Sequence, residues 1–239
     1  MRDVLVTGTD TGVGKTVIAA ALIAVLRARG VRALGFKPVE SGVDADEPAD
    51  SELLARASGE RVALALPLLQ LREPLAPAVA AERAGVALNP EELELRVDQL
   101  RKAGYTLVIE GAGGVLVPLS WEKRGRESFS GDAGEKDSRP LSYTVLDLAE
   151  RRNLDAIVVA RAGLGTLNHI ALTVLMLQSR RVAVRGIVLN GRSTPPDLAE
   201  STNPSILARM LPGLRIVEVP HQNSDRVIAG AAAIVGRLL

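Results

Sequence analysis

Cysteine is absent from the 239-residue chain, and histidine occurs only twice. The absence of cysteine excludes disulfide bonds, thiolate nucleophiles and cysteine-ligated metal sites. The two histidines, His169 and His221, are too few and too far apart in the sequence to indicate a zinc site. Neither thiol chemistry nor a zinc site is therefore expected.

Aromatic side chains and net charge are also scarce. Aromatic residues make up 2% of the chain, and 29 basic against 28 acidic residues leave a formal net charge of +1. There are thus few side chains to stack on nucleic-acid bases, and no overall field to attract nucleic acid or an anionic membrane. The apolar stretches are well below the ~20 residues that a membrane span needs. We expect a cytoplasmic protein that binds neither nucleic acid nor membrane.

Short β-branched runs alternate with longer segments of helical period, which is typical of an α/β domain with a mostly parallel sheet flanked by helices. Strands are predicted at residues 4–7, 33–37, 106–110, 156–160, 186–190 and 216–219. Helices are predicted at residues 15–29, 50–58, 77–84, 90–103, 145–152, 167–180, 204–210 and 226–239. Asn89 with Pro90, and Asn203 with Pro204, have the pattern of a cap followed by a helix-starting proline. No linker or repeat divides the chain, so a single domain over residues 1–239 is expected.

One stretch departs from this pattern. Residues 121–140, WEKRGRESFSGDAGEKDSRP, are charged and without period, which predicts a long loop or flexible insertion. Such a loop beside a site can act as a lid, but a solvated excursion is the favoured interpretation.

The strongest motif is GTDTGVGKT at residues 8–16, directly after a predicted strand and before a predicted helix. Its glycines let backbone N–H groups turn inward, and the helix N-terminus adds positive dipole. Lys15 can reach the terminal phosphates of a nucleotide, and Thr16 can ligate magnesium. The motif is slightly irregular, because its first glycine is expected at Thr9 and is found at Gly8. A phosphate-loop NTPase-type domain that binds a nucleoside triphosphate is predicted.

Two further motifs end predicted strands, KPVESG at residues 37–42 and EGAGG at residues 110–114. Ligands of open parallel sheets bind at the carboxyl ends of the strands, so Lys37 is expected to share a crevice with Lys15. Glu110, followed by a glycine-rich turn, suits a magnesium ligand or a group that binds a substrate amine.

Other polar residues lie at the starts and ends of predicted elements. Asp50 either caps a helix or is a second metal carboxylate, and the cap is the favoured interpretation. The ends of the last two predicted strands remain as candidate contacts for the nucleotide base, although Asn190 with Gly191 is also simply a good turn sequence. These candidates are Asn190, Gly191, Pro220, His221 and Gln222.

Taken in order, GTDTGVGKT, KPVESG, ADSELL around Asp50, EGAGGVLVPLS, GLGTLNH and VLNG resemble the dethiobiotin synthetases over most of the chain. Each motif alone is shared with other phosphate-loop proteins, but their order and spacing are specific. The resemblance implies an ATP-dependent carbon–nitrogen ligase of biotin biosynthesis that converts 7,8-diaminononanoate, CO2 and ATP to dethiobiotin, ADP and phosphate. One amine would form a carbamate, ATP would phosphorylate it to a carbamic–phosphoric anhydride, and the second amine would close the ring.

The resemblance also implies a role for each matching residue. Lys15, Lys37 and Thr11 would be catalytic, with the lysines neutralising charge on the carbamate and the transferring phosphoryl group. The implied Mg²⁺ ligands are Thr16, Asp50 and Glu110. Implied nucleotide contacts are Gly12, Val13, Gly14, Lys15, Thr16, Val17, Asp50, Glu110, Gly111, Ala112, Gly113, Asn190, Gly191, Pro220, His221 and Gln222. Implied contacts with the other substrates are Ser41, Thr11, Gly113, Thr166, Leu167 and Asn168.

The last three of these residues imply a homodimer with shared active sites. In the resembling family the substrate carboxylate is held at a helix start of the other subunit, and residues 166–168 match that segment.

Two features depart from the family pattern: Gly12 stands where some members carry an acidic residue, and the insertion at residues 121–140 is longer than expected.

Two other classes share phosphate-loop features. Glutamine-dependent amide ligases of corrinoid synthesis carry a glutaminase domain with a cysteine nucleophile, and this chain has no cysteine. Partitioning and metal-delivery ATPases usually place an additional lysine at the position of Asp10, and no basic tail or basic terminal helix is present here. A catalytic role is favoured over a switch ATPase.

Overall fold

The computed structural model describes residues 2–44, 48–59, 66–121, 142–221 and 227–239. Its strands are β1 Val4–Gly8, β2 Ala33–Phe36, β3 Val39–Ser41, β4 Leu69–Leu71, β5 Thr106–Gly114, β6 Pro118–Trp121, β7 Ser142–Thr144, β8 Asp155–Arg161, β9 Val184–Arg192 and β10 Arg215–Pro220. Its helices are α1 Lys15–Ala28, α2 Asp50–Ser58, α3 Pro77–Arg83, α4 Pro90–Lys102, α5 Val145–Arg151, α6 Thr166–Ser179, α7 Leu198–Met210 and α8 Val227–Val235, with a 3-10 turn at Gly236–Leu238.

Six strands form the main sheet, in the order β10-β9-β8-β1-β5-β2. All of its neighbouring strands are parallel, which confirms the predicted α/β fold with a mostly parallel sheet. Two small sheets were not predicted: β3 pairs with β4 in parallel, and β6 pairs with β7 antiparallel. Their strands have three or four residues each, which is too short for a clear period-2 pattern.

Both faces of the main sheet are buried. On the central strand β1, Val4 and Val6 belong to a core cluster that also contains residues of α1 and α8. Leu5 belongs to a second cluster on the other face, which contains residues of α4, α5 and α6. Successive residues of a strand point to opposite faces, so the continuous apolar run of β1 reflects helices on both sides of the sheet.

The strand order brings the sequence motifs to one edge of the sheet. Strand β1, which leads into the phosphate loop, lies between β8 and β5, and its Val6 pairs in register with Glu110 of β5. Strand β2, which leads to Lys37, lies beside β5. Because the strands are parallel, their carboxyl ends meet at this edge, where ligands of such sheets bind.

One predicted helix start is wrong. Helix α7 begins at Leu198 rather than at Pro204, because Asp197 and Glu200 form a capping box at its start. Asn203 is instead a buried residue within the helix, and its side-chain amide donates to the carbonyl of Ala162 at 2.8 Å and to that of Gly163 at 3.1 Å. The other predicted start is confirmed, since the Asn89 side chain accepts from the backbone N–H of Glu91.

The predicted insertion at residues 121–140 falls mostly on residues 122–141, which lie outside the described part of the chain. Its first residue, Trp121, ends β6 and pairs with Ser142 of β7. Among the described residues, no helix is both long and apolar enough to cross a membrane.

Candidate active site

The phosphate loop connects the end of β1 to the start of α1. Gly12 and Gly14 have φ angles of 66° and 92°, in the left-handed region that favours glycine. A β-carbon on Gly14 would lie 2.1 Å from Nδ2 of Asn190, so a side chain there would also collide. The N-cap of α1 is Gly14, which has no side chain to accept from the first N–H groups of the helix, so these N–H groups are available to an anion.

Asn190 forms a hydrogen bond with the backbone of this loop. It lies on β9, and its Nδ2 donates to the carbonyl oxygen of Val13 at 2.9 Å. The sequence suggested only a base contact for Asn190, and the bond to Val13 adds a contact with the loop itself. It ties the carboxyl end of β9 to the turn before α1.

Lys15 and Lys37 are both buried at the crevice. The ammonium of Lys15 donates to the backbone carbonyl of Asp10 at 2.9 Å. Burial lowers the pKa of Lys15, and the positive charge of Lys37 adds to this effect against the raising influence of Glu110. The two lysines therefore flank one site, which is what the position of Lys37 at a strand end beside the phosphate loop predicted.

Lys37 lies between two carboxylates. Its Nζ donates to Oε1 of Glu110 at 2.9 Å and also contacts Oδ2 of Asp50. Burial alone would lower the pKa of Lys37, but the charges of Glu110 and Asp50 outweigh burial and raise it. Lys37 is thus held as a cation at the centre of this triad.

The Asp50 carboxylate does not cap a helix, contrary to the favoured interpretation. The N-cap of α2 is Ala49, which makes no side-chain cap hydrogen bond, and Asp50 is the first residue of the helix. Its side chain points to Lys37, which leaves the second interpretation of Asp50, a carboxylate of the site.

Glu110 offers an oxygen for a cation. Its Oε1 accepts from Thr16 Oγ1 at 3.0 Å as well as from Lys37. Its Oε2 is buried and has no hydrogen-bond partner within the part of the chain that the structure describes. A free carboxylate oxygen beside a threonine hydroxyl and near a second carboxylate fits Mg²⁺, which prefers one or two carboxylates together with phosphate oxygens.

A cavity of about 510 Å³ collects most of the predicted site residues. Its lining comprises Thr11, Gly12, Gly14, Lys15, Thr16, Val17, Lys37, Val39, Ser41, Asp50, Leu53, Glu110, Gly111, Ala112 and Gly113. Val13 lies just behind it, buried and bonded to Asn190.

The other predicted residues do not line this cavity. Asn190 and Gly191 lie just before Arg192, the last residue of β9, and Pro220 ends the neighbouring strand β10. The N–H of His221 donates to the carbonyl of Arg192 at 2.8 Å, and Gln222 lies outside the described residues. Thr166, Leu167 and Asn168 form the first turn of α6, whose N-cap is Gly165, a residue without a side chain to cap the helix.

A second groove, of about 600 Å³, adjoins the first and was missed by the sequence motifs. The two share Thr11 and Gly113. The walls of the second groove are largely aliphatic and come from the segment after the EGAGG motif and from α6: Val115, Leu116, Val117, Pro118, Leu172 and Met176. These are ordinary apolar residues, and the sequence carried no signal that they face a groove.

Comparison with known proteins places the chain in a family. A family model described as AAA domain matches residues 2–123 and 135–227. ATP-dependent dethiobiotin synthetase BioD of Anaeromyxobacter dehalogenans is 41% identical over 211 residues, which cover 88% of this chain and 86% of the relative. The chain belongs to the dethiobiotin synthetase family. Its members from Aquifex aeolicus and Bacillus velezensis are 37% and 34% identical, over 91% and 95% of this chain and 88% and 91% of their own.

Solved structures agree on the fold of this dethiobiotin synthetase family member. Cyanothece McdA in complex with ATP aligns with a TM-score of 0.51 at 13% identity, over 100% of this chain and 90% of that one. At this identity the likeness concerns the fold alone. It confirms the predicted NTPase-type architecture.

The buried triad yields a stability prediction. Lys37→Gln removes the cation beside Glu110, whose side chain is 1% exposed, so we expect the free energy of unfolding to fall by about 3 kcal/mol. Lys102→Gln is the matched control, because it makes the same change at an exposed position and should stay within about 0.5 kcal/mol of the wild type. Urea unfolding in magnesium-free buffer measures both. Equal free energies for the two variants would show that the triad contributes nothing to stability.

Proposed function

We propose that the protein is an ATP-dependent dethiobiotin synthetase that converts 7,8-diaminononanoate and CO2 to dethiobiotin. Membership of the family supports this activity. The observation that carries it in the structure is the junction of two cavities at Thr11 and Gly113. One is built for phosphates and the other has aliphatic walls suited to the hydrocarbon chain of the diamine. Their junction is where the carbamate would meet the γ-phosphate.

The chain's own residues supply charge and orientation for each step. An amine of the substrate adds to CO2 and loses a proton, which gives a carbamate that Thr11 and Ser41 would hydrogen-bond. A carbamate oxygen then takes the γ-phosphoryl group from ATP and ADP leaves. Lys15 and Lys37 would stabilise the negative charge in that transfer, which depends mainly on positioning and electrostatics. The second amine attacks the carbonyl carbon, the ring closes and phosphate leaves.

Three residues of the site would hold Mg²⁺. They are Thr16, Asp50 and Glu110, and the buried unpaired Oε2 of Glu110 supports the assignment. When bound, Mg²⁺ would neutralise charge on the β- and γ-phosphates of ATP. Lys37 contacts both carboxylates and lines the same cavity as Lys15 and Ser41, which supports a role for its ammonium beside the carbamate and the transferring phosphoryl group.

The adenine base would bind at the ends of β9 and β10. The amide nitrogen of Asn190 donates to the carbonyl of Val13, and its Oδ1 would accept from the amino group of the base. Gly191 follows Asn190 on β9, and the remaining proposed contacts are Pro220, His221 and Gln222.

The active unit would be a homodimer. Helix α6 carries an exposed apolar surface next to the aliphatic groove, with Leu172 60% and Leu175 56% exposed. Leu164, just before the helix, is 93% exposed. A second copy would cover these residues, and the uncapped first turn of its α6, Thr166 to Asn168, would bind the substrate carboxylate.

The proposed reaction predicts that ATP turnover depends on both co-substrates. With purified protein, Mg²⁺ and ATP, ADP release should fall to background when either diaminononanoate or bicarbonate is left out, because the phosphoryl acceptor is then missing. Coupled-enzyme detection of ADP measures this. Full ADP release with neither compound present would instead favour a switch ATPase.

The proposed dimer predicts the effect of a charge on α6. Leu175→Glu should give a monomer that has lost most of its activity, because a carboxylate would be buried at the subunit contact. Leu95→Glu on α4 is the control, since Leu95 is 55% exposed against 56% for Leu175. Light scattering after size-exclusion chromatography gives the mass. A wild-type mass and full rate for Leu175→Glu would overturn the proposed interface.

A further inference from the structure

Glu40 is a buried carboxylate next to the crevice but outside it. It lies on β3 between Val39 and Ser41, both of which line the phosphate-binding cavity. Successive strand residues face opposite sides, so Glu40 points away from that cavity. The residue is only 3% exposed and is not explained by the catalytic chemistry.

The Glu40 carboxylate holds the start of α2. Its Oε1 accepts from the backbone N–H of Ser51 at 2.5 Å, and its Oε2 accepts from Ser51 Oγ at 3.0 Å. Gln70 Nε2 of β4 donates to the same Oε2 at 2.9 Å. One side chain therefore joins the β3–β4 pair to the first turn of α2.

These contacts provide acceptors at the start of α2. The first four N–H groups of a helix lack partners within it, and Ala49, the N-cap residue of α2, makes no side-chain cap hydrogen bond. Glu40 supplies the acceptor from a neighbouring strand and places negative charge at the helix N-terminus. The backbone at Ser51 is thereby fixed to β3.

Asp50 immediately precedes Ser51, so its backbone position depends on this anchor. The Asp50 side chain is 45% exposed and contacts Lys37. It is not held by surrounding packing as the buried Glu110 is. The orientation of Asp50 toward Lys37 and Glu110 thus follows from where Glu40 places the helix.

We propose that Glu40 is a positioning residue for the metal–nucleotide site, acting through Ser51 to aim the Asp50 carboxylate. The proposal rests on the proposed function in that Asp50 is taken as a ligand of the divalent cation. Partners that orient metal ligands typically affect metal affinity by about 10–100-fold. Loss of the Glu40 hydrogen bonds should therefore lower the affinity for the cation while the protein remains folded.

The test is Mn²⁺ binding to the full chain with a non-hydrolysable ATP analogue, followed by electron paramagnetic resonance. Glu40→Ala removes the acceptor, and Glu40→Asp is one methylene too short to reach both donors of Ser51. Both should weaken Mn²⁺ binding by about 10-fold. Glu40→Gln should bind Mn²⁺ nearly as tightly as the wild type. Its amide oxygen still accepts from the Ser51 N–H. The Ser51 hydroxyl and the Gln70 side-chain amide can reorient so that their oxygens accept from the new amide nitrogen.

Glu52→Ala is the matched control. It removes a carboxylate from the same first turn of α2, but Glu52 is 43% exposed and pairs with Arg56 on the surface. Wild-type Mn²⁺ affinity is expected for this variant. Thermal unfolding of each metal-free variant separates weakened binding from a lost fold, and Glu40→Asp carries the test if Glu40→Ala does not fold.

Wild-type Mn²⁺ affinity in folded Glu40→Asp would overturn the proposal. Equal losses of Mn²⁺ affinity in Glu40→Gln and Glu40→Ala would also overturn it, because the charge of Glu40 rather than its hydrogen bonds would then be responsible. The titration needs neither diamine nor bicarbonate. It therefore gives its answer whether or not the protein makes dethiobiotin, and the two proposals can fail separately.

Discussion

The ion triad of Lys37, Glu110 and Asp50 is the constraint on which the site depends. Glu110 is buried, and a buried carboxylate is costly unless a cation and hydrogen bonds compensate it. Lys37 supplies that charge, and Thr16 of the phosphate loop donates to the same oxygen. The compensation thus links three segments distant in sequence, and it sets a preorganised positive charge beside the loop that binds phosphate.

The parallel sheet makes this arrangement possible. With β1 between β8 and β5, and β2 beside β5, the carboxyl ends of the strands deliver the phosphate loop, Glu110 and Lys37 to one edge. Helix α2 adds Asp50 from outside the sheet, and its start is anchored by Glu40 on β3. Asn190 on β9 ties the phosphate loop to the strand that would serve the base. Glu40 and Asn190 therefore each connect a strand to a segment that carries residues of the site.

Local patterns predicted the fold and the phosphate loop well, because glycine positions and apolar periodicity act over a few residues. They could not predict that Glu40, 11 residues before Ser51, caps α2, and so the cap was assigned wrongly to Asp50. Asn203 with Pro204 was misread because the capping box at Asp197 begins the helix a turn and a half earlier. The aliphatic groove was missed since it forms only when α6 meets the segment after β5. Long-range packing, not local propensity, decides these features.

One site of this protein combines carbon dioxide with a diamine while ATP is converted to ADP and phosphate. Mass spectrometry of the products, after incubation of the purified protein with ATP, Mg²⁺, ¹³C-bicarbonate and 7,8-diaminononanoate, tests this most directly. We expect dethiobiotin that carries the labelled carbon in its ureido ring, formed in equal amount with ADP. Release of ADP without any labelled cyclic product would show that the site does not carry out this reaction.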